Sequence, residues 1–460
     1  MSCHVAAERA ERAAAPSVLR LRARPLKIVL VGNPNVGKSV IFGRLTGRYA
    51  TVSNYPGTTV GLTSGRALLG AEVCDIVDSP GVNAKEIKIG ALYPQTSEAF
   101  GSQFLPYGAG VRARLALEND TNGGVNGRKL VYSEADDKGD LTANFAAARQ
   151  LVDSEGVFMV VEASPASKGP SAKYLNQKGV PVTGWPINYV WGVYKNMFGH
   201  GGSTVPQPDG GPTVSTGGAQ FLKDHGATNV ASVGIDVTES ATAAKGSADA
   251  AKAVGMKVGY LKTDIPATGT DYTADVAAMK EKGVDTLWGS IQQPLYTQLY
   301  LKAKEAGIQF KAALSPTGYD QRILSAFGKD LAGVYFLIDF APFELDLPAH
   351  TTFENAMAKY EPDSTPAKQQ LSMNGWLAAD LAIRGLQESG KCPTREAFIK
   401  NLRKVKDYDA DGLLLKPVNQ AKTFGKAQNC YNYVQVSADG TKFELVDGAV
   451  PLCGKVVKRP

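Results

Sequence analysis

The residues with the sharpest chemical spacing lie near the N-terminus, in the stretch GNPNVGKS that runs from Gly32 to Ser39. It matches the pattern GxxxxGK[ST], with an apolar strand before it and an amphipathic stretch after it. Glycines at both ends of such a loop let backbone N–H groups close around phosphate oxygens, while Lys38 neutralises their charge and Ser39 can ligate Mg²⁺. The stretch therefore predicts a loop that binds the phosphates of a nucleotide.

The elements needed to position this loop are a strand at 26–31, a helix up to Leu45 and a strand at 73–77 that ends in Asp78-Ser79-Pro80-Gly81. With VSNYPGTTV between them, the segment resembles the G domain of translation-factor-class GTPases, and most closely the ferrous-iron transport protein B family. That resemblance implies that GTP and Mg²⁺ are held by Asn35, Gly37, Lys38, Ser39, a switch threonine at Thr58 or Thr59, Asp78 and Gly81.

The G-domain pattern stops early, at about residue 83. A complete G domain needs about six strands and an [NT]KxD motif that reads guanine, and this motif is absent downstream, where Asn176-Gln177-Lys178-Gly179 lacks the acid. Three strands and one helix bury too little apolar surface to offset the conformational entropy that is lost when they become ordered. The segment is therefore predicted to be a truncated remnant, and GTP binding or hydrolysis stays as the alternative function.

Composition changes at the same point. Residues 1–85 hold 11 Lys and Arg against 5 Asp and Glu, whereas residues 86–460 hold 39 of each. The net charge of +6 therefore belongs to the first part, and the neutral body gives no reason to expect nucleic acid as a partner. Residues 1–25, rich in Ala and Arg, are predicted to be a disordered basic arm.

The body begins with a βαβ pattern. Alternating Ile87, Ile89 and Ala91 predict a strand, the small apolar residues 108–117 predict a helix, and Asn122-Gly123-Gly124 predicts its end before a second strand at Lys129. This stretch, with its GGVNGRK turn, is similar to the start of type I periplasmic solute-binding proteins, in particular the branched-chain amino-acid and amide group of ABC transporters. The resemblance continues to the C-terminus.

The fold class implied is α/β, with two doubly wound, Rossmann-like lobes joined by a hinge. Alternating strand and helix patterns place lobe 1 at 86–205 and 336–420 and lobe 2 at 206–335 and 421–460, behind the P-loop segment at 26–84. Ligands of such sheets lie at the carboxyl ends of the strands. Both lobes are expected to close on the ligand like a clamp.

The strand ends and the resemblance together give a set of candidate ligand-binding residues. Ser164 stands where the family often offers a hydroxyl to a ligand carboxylate, and Thr317 stands where amino-acid-binding relatives commonly carry an acid, a role that Glu239 could take instead. An amide or aromatic acid is therefore as well supported as an amino acid. The candidates are Gln95, Thr96, Ser97, Ser164, Trp185, Asn188, Glu239, Gln292, Gln293, Thr317 and Tyr319.

The body shows no catalytic pattern. Its histidines are scattered, and CxxC and GxSxG are absent. The sequence thus predicts binding without turnover, no required cofactor, and a monomer that works with the membrane permease of an ABC importer. A sensor kinase or other receptor built on the same body is the further alternative. One disulfide among Cys392, Cys430 and Cys453 is expected, with Cys430 and Cys453 nearest in sequence.

Localisation is divided between the two parts. The family of the body implies an extracytoplasmic protein, whereas Ile28–Val31 is too short for the apolar region of a signal peptide. The chain as written is therefore expected to stay in the cytoplasm.

Overall fold

The computed structural model describes residues 26–30, 38–46, 64–69, 72–78, 81–83, 85–97, 100, 103–203, 211–414 and 416–460. Asn35, Gly37, Thr58 and Thr59 lie outside these ranges, as does the predicted basic arm. Lys38 and Ser39 begin a helix and Asp78 ends a strand, as the phosphate-loop pattern requires.

The N-terminal segment forms a small sheet of its own. Strand β1 pairs in parallel with β3, and β2 pairs with β3 in the antiparallel direction. Phe42 is fully buried against Ile28, Leu30 and Leu45, in an apolar cluster separate from the core of the body. The elements are β1 (Leu26–Leu30), α1 (Lys38–Thr46), β2 (Ser64–Leu69) and β3 (Glu72–Asp78).

The body begins at Gly81, not at residue 86. The Gly81 carbonyl accepts a hydrogen bond from the Lys88 amide at 2.8 Å, and a Cβ at this position would lie 2.2 Å from the Phe158 backbone nitrogen. Val82 is buried and bridges to Ile87. The sequence predicts that Gly81 contacts a nucleotide. The structure instead packs Gly81 against lobe 1, where both the close backbone contact and the φ angle of +73° require a glycine.

Lobe 1 is built on five parallel strands in the order β5-β4-β6-β7-β8. All four residues of β6 are buried, as expected for a strand covered by helices on both faces. The elements are β4 (Glu86–Tyr93), α2 (Leu105–Asn122), β5 (Lys129–Asp136), α3 (Leu141–Arg149), β6 (Met159–Glu162), α4 (Pro170–Gln177), β7 (Val182–Gly184), α5 (Val190–Val193) and β8 (Met197–Gly199).

Lobe 2 is a larger sheet in the order β11-β10-β12-β13-β14-β15-β16, parallel up to β14 and antiparallel from there. Its first elements are β9 (Thr213–Ser215), α6 (Gly217–Asp224), β10 (Asn229–Ile235), α7 (Thr238–Ala253), β11 (Lys257–Ile265), α8 (Thr273–Glu281), β12 (Thr286–Ser290), α9 (Gln293–Glu305), β13 (Ala312–Ser315), α10 (Gln321–Phe327) and β14 (Tyr335–Ile338). The predicted lobe boundary at residue 335 therefore moves beyond Ile338, because β14 pairs with β13.

Three further helices return to lobe 1. They are α11 (Pro348–Tyr360), α12 (Gln370–Glu388) and α13 (Arg395–Leu402). Helices α2 and α12 cross with their backbones in contact, because a Cβ on Gly110 would lie 1.8 Å from the Ser372 carbonyl oxygen and one on Gly375 would lie 2.0 Å from that of Tyr107. The run of small residues in α2 thus permits close helix packing.

The C-terminal strands complete lobe 2. They are β15 (Cys430–Val436), β16 (Phe443–Leu445), β17 (Leu452–Cys453) and β18 (Val456–Lys458), and β18 pairs with β9 in a separate two-stranded sheet. A disulfide joins Cys430 to Cys453, and Cys392 takes no part in this bridge. Among the described residues, no helix is both long and apolar enough to cross a membrane.

Candidate ligand-binding cleft

A cavity of about 290 Å³ lies where the carboxyl ends of the two parallel sheets face each other. Lobe 1 supplies five of its lining residues: Phe100, Gln103, Phe104, Trp185 and Ile187. Lobe 2 supplies most of the others, from the ends of β10, β12 and β13 and from α7. The position agrees with the rule that ligands of doubly wound sheets bind beyond the strand ends.

The lobe 1 wall is aromatic. Trp185 follows β7, and its backbone N–H donates to the Glu162 carbonyl at 3.2 Å, so the two neighbouring strand ends fix the position of the indole. Phe100 and Phe104 lie in the turn before α2, with ring centroids 5.7 Å apart in an edge-on arrangement. Gln103, between them, brings one amide group to this wall.

The lobe 2 wall carries the polar atoms. Ser240 Oγ accepts from the Ile235 amide at 2.8 Å and donates to the Ser290 carbonyl, which ties the start of α7 to two strand ends. Gln292 and Thr317 follow the next strands and line the cavity. Thr317 Oγ1 is buried and has no hydrogen-bond partner among the described residues.

Beyond these strand ends the cavity continues into lobe 2 along α7. Ala243, Gly246, Ser247 and Ala250 line one side, and the other side includes Val214, Trp288 and Tyr431. Trp288 fits because residue 218 is glycine, since a Cβ there would lie 2.7 Å from the indole ring. Arg459 also lines the cavity, and its Nη1 contacts Asp249 Oδ2 at 2.7 Å.

Both charged residues of the lining are paired. Glu239 lies 2.7 Å from Lys168 Nζ, an ion pair that joins the two lobes, and Arg459 pairs with Asp249. No other described residue of the lining is charged. Since an unpaired charge is what a charged ligand group would need, the cavity suits a ligand with few charges and a large apolar part.

Four of the candidate ligand residues lie on the cavity: Trp185, Glu239, Gln292 and Thr317. The loop at 95–97 does not line it. The backbone amides of Gln95 and Thr96 donate to Asp136 Oδ1 at 2.8 and 3.3 Å, and Ser97 Oγ accepts from the Phe100 amide at 3.2 Å. These residues instead stabilise the loop that carries Phe100.

Ser164 and Asn188 form hydrogen bonds inside the neighbouring loops and stabilise them. Ser164 Oγ accepts from the Ala166 amide at 3.0 Å and caps a short 3₁₀ turn. Asn188 Nδ2 donates to Ser167 Oγ at 2.6 Å and to the Ser164 carbonyl at 3.2 Å. Both residues are buried and do not line the cavity.

The side chains of Gln293 and Tyr319 also form hydrogen bonds with other residues of the protein and do not line the cavity. Gln293 Oε1 accepts from Ser315 Oγ at 3.2 Å. The Tyr319 hydroxyl donates to Glu344 Oε2 at 2.5 Å and accepts from the Phe343 amide at 2.8 Å, and burial raises the pKa of this phenol well above its usual range. A ligand would have to break these bonds to reach either side chain.

Sequence reasoning missed the aromatic residues of the cavity and the α7 surface. The missed aromatic residues are Phe100, Phe104, Trp288 and Tyr431. A signal for α7 was present, because Ser240, Ala243, Ser247 and Ala250 are all small and recur at helical spacing. No comparable pattern marks these four aromatic residues, which come from three separate parts of the chain.

Beneath the lobe 1 wall, two carboxyl groups share one amide. Asn144 Nδ2 donates to Asp137 Oδ2 at 2.8 Å and to Glu162 Oε1 at 3.4 Å. Glu162 is fully buried, and this desolvation raises the pKa of its carboxyl to about 8. Desolvation also raises the pKa of Asp137. Glu162 is therefore protonated at neutral pH.

Comparison with known families divides the chain within a few residues of the point where its structure does. A family model described as periplasmic binding protein matches residues 86–441, and one described as ferrous iron transport protein B matches residues 26–87.

Solved structures of ABC-transporter binding proteins share the fold of the body. The substrate-binding protein from Aeropyrum pernix is 17% identical, with a TM-score of 0.67 over 82% of this chain and 96% of its own. The fatty acid ABC transporter substrate-binding protein from Thermomonospora curvata is 21% identical (TM-score 0.65; 81% and 94%). The leucine-binding protein LivK from Thermotoga maritima is 16% identical (TM-score 0.62; 81% and 99%).

Two curated relatives share a short segment with this chain. The Fe(2+) transporter FeoB from Methanocaldococcus jannaschii is 48% identical over 56 residues, which are 12% of this chain and 8% of that protein. FeoB from Legionella pneumophila is 46% identical over 54 residues, 12% of this chain and 7% of that protein. The chain therefore spans less than a tenth of the length of these relatives.

Proposed function

Since the chain belongs to the periplasmic binding protein family over residues 86–441, we propose that its body clamps a small organic solute between its lobes and presents it, as a monomer, to the permease of an ABC importer. The observation that carries this proposal is the cavity of about 290 Å³ to which both lobes contribute. This volume is close to the lower end of the range for small-molecule sites.

The lining favours a solute with an apolar body. An amino acid would require a carboxylate for its ammonium group, and the one lining carboxylate, Glu239, is engaged by Lys168 at 2.7 Å. An amide, an aromatic acid or another apolar acid needs only a few donors and acceptors, which Gln103, Gln292 and Thr317 supply. Leucine and fatty acids, named for two proteins of the same fold, are therefore both useful test ligands.

Binding is coupled to closure because the two walls belong to different lobes. A solute that contacts Trp185 on one side and Gln292 on the other interacts fully only with the closed form, and so shifts the population toward it. Closure also excludes water, which strengthens the few polar contacts of the ligand.

The function is tested by a thermal-shift screen of the full chain against leucine, aliphatic amides, benzoate and fatty acids. A solute at 100 times its dissociation constant stabilises the fold by about 2.7 kcal/mol, which gives a clear shift. GTP with Mg²⁺ belongs in the same screen, because the match at residues 26–87 makes nucleotide binding a second candidate function. A shift with GTP alone would overturn the receptor function.

Trp185→Ala is expected to weaken binding of the solute found in this screen by about 30-fold, since a buried aromatic residue in a binding site commonly contributes 2 kcal/mol or more. Tyr189→Ala is the matched control, because Tyr189 is a half-buried aromatic residue of the same loop and does not line the cavity. Titration calorimetry measures both. Equal affinities in the two variants would show that the solute binds elsewhere.

A further inference from the structure

The cavity extends into lobe 2 along α7, beyond the cleft between the two lobes. We call this extension the α7 arm: the space between residues 243–250 of α7 and the side chains of Val214, Trp288 and Tyr431. Cavity-lining residues extend along α7 from Glu239 to Ala250, and the helix rises about 16 Å between these two residues. The cavity is thus long in one direction.

The walls of the arm are helix α7 on one side and, on the other, the side chains of Val214, Trp288 and Tyr431. A space bounded in this way suits a hydrocarbon chain that runs along the helix. Small side chains on α7 create this space, because Ala243, Gly246 and Ala250 leave the helix surface close to its backbone. A side chain as large as leucine at any of these positions would fill it.

The arm offers little to water. A buried water needs two to four polar partners, and the residues that define the arm are apolar apart from Ser247 and the Tyr431 hydroxyl, which already donates to the Gln428 carbonyl at 3.3 Å. Arg459, whose guanidinium is paired with Asp249, lines the arm beside Gly246. An apolar occupant therefore gains the most from this site.

We propose that the α7 arm holds the unbranched apolar tail of an amphiphilic ligand whose small polar head lies between the lobes. This inference rests on the proposed receptor function and names the substrate class of the same site. Gln103, Gln292 and Thr317 then contact the head, and α7 with Trp288 encloses the tail. Selectivity for tail length follows, because the lining residues of the arm extend along α7 only as far as Ala250.

The test compares the full chain with Gly246→Leu and Gly246→Ala. A Cβ at residue 246 meets only Arg459 Nη2, at 3.7 Å, so leucine has room to enter the arm. Leucine and alanine both have a higher helix propensity than glycine. Both variants are therefore expected to fold, so a change in affinity reports on ligand binding. Only leucine reaches far enough to block the arm, and alanine is its matched control.

Calorimetry with butanoate, octanoate and dodecanoate, and with the matching carboxamides, gives the readout. In the wild type and Gly246→Ala, affinity is expected to rise roughly fourfold per buried methylene until the arm is full. In Gly246→Leu the rise stops early, while the shortest ligands bind as before. A rise of equal size in both variants would overturn the assignment of the tail to the arm.

Two further outcomes separate this inference from the function on which it rests. If the wild type binds leucine or benzoate but shows no gain with chain length, the tail assignment is wrong and the receptor function stands. If no solute of the screen binds at all, the receptor function itself fails and the tail assignment fails with it.

Discussion

At the scale of single residues, Glu162 couples the ligand wall to pH. Its carbonyl holds the Trp185 amide, while its carboxyl is buried beside Asn144 and Asp137. The pKa of this carboxyl is raised from 4.5 to about 8 by desolvation. The folded state therefore binds a proton that the unfolded state releases above about pH 4.5.

The sign of the pH effect follows from this difference. Between about pH 4.5 and pH 8 the folded protein holds more protons than the unfolded chain, so the free energy of unfolding falls as pH rises, by up to about 1.4 kcal/mol per pH unit. Glu162→Gln keeps the shape and removes the titration. We expect its free energy of unfolding, measured by urea denaturation from pH 5 to 8, to fall less steeply than that of the wild type.

Parallel pH profiles for the two proteins would contradict the assignment of a raised pKa to Glu162. Asp137 remains in the variant, and its pKa is also raised. Some dependence of stability on pH, in the same direction, is therefore expected to persist.

At the scale of elements, the 3₁₀ turn Pro165–Lys168 and the start of α7 meet across the cleft. Lys168 and Glu239 form an ion pair there, with side chains 18% and 15% exposed. Glu239 also lies in the first turn of α7, where a negative charge is favoured by the helix dipole. The ion pair therefore stabilises the closed arrangement of the lobes in the ligand-free protein.

Lys168→Ala is expected to favour the open form, because it leaves the Glu239 carboxylate partly buried without its partner. Small-angle scattering of the ligand-free protein should show a larger radius of gyration, and ligand affinity should fall several-fold. Lys173→Ala, an exposed lysine on α4, is the matched control. A coupling of about 1 kcal/mol in the double-mutant cycle with Glu239→Gln would assign the effect to the pair.

Sequence reasoning placed residues on the cavity where their position follows from the topology. Trp185, Gln292 and Thr317 line it because they follow parallel strands, and the carboxyl ends of such strands form the cleft. Their role in ligand binding stays a prediction. Ser164, Asn188 and Tyr319 also follow strands, but local hydrogen bonds turn their side chains into the protein. Which polar group finds a local partner depends on side-chain geometry that spacing alone does not specify.

At the scale of the whole molecule, the chain joins two units that bury separate cores. The strands β1 to β3 pair only with one another among the described residues, whereas Val82 and Asn83 belong to lobe 1. The Asn83 carbonyl accepts from Arg128 Nε at 2.9 Å, and Arg128 is itself buried. The boundary of the body is therefore defined to within a few residues.

Two truncations test this boundary. A chain that begins at Gly81 is expected to keep the melting temperature and ligand affinity of the body. A chain that begins at Lys85 loses the burial of Val82 and the Asn83 contact with Arg128, and we expect it to lose about 2–3 kcal/mol of stability. Equal melting temperatures for the two truncated proteins would place the boundary later in the chain.

The position of β15 has a consequence for how the protein is made. This strand lies between β14 and β16, and its Tyr433 stacks on Phe221 of α6 at 3.6 Å between ring centroids. While the ribosome is still adding residues before 430, lobe 2 has its helices and parallel strands but an open sheet edge and an uncovered Phe221. Such an edge attracts chaperones and favours aggregation. Because Tyr431 of this strand and Arg459 both line the cavity, the lining is complete only after residue 459 has been synthesised.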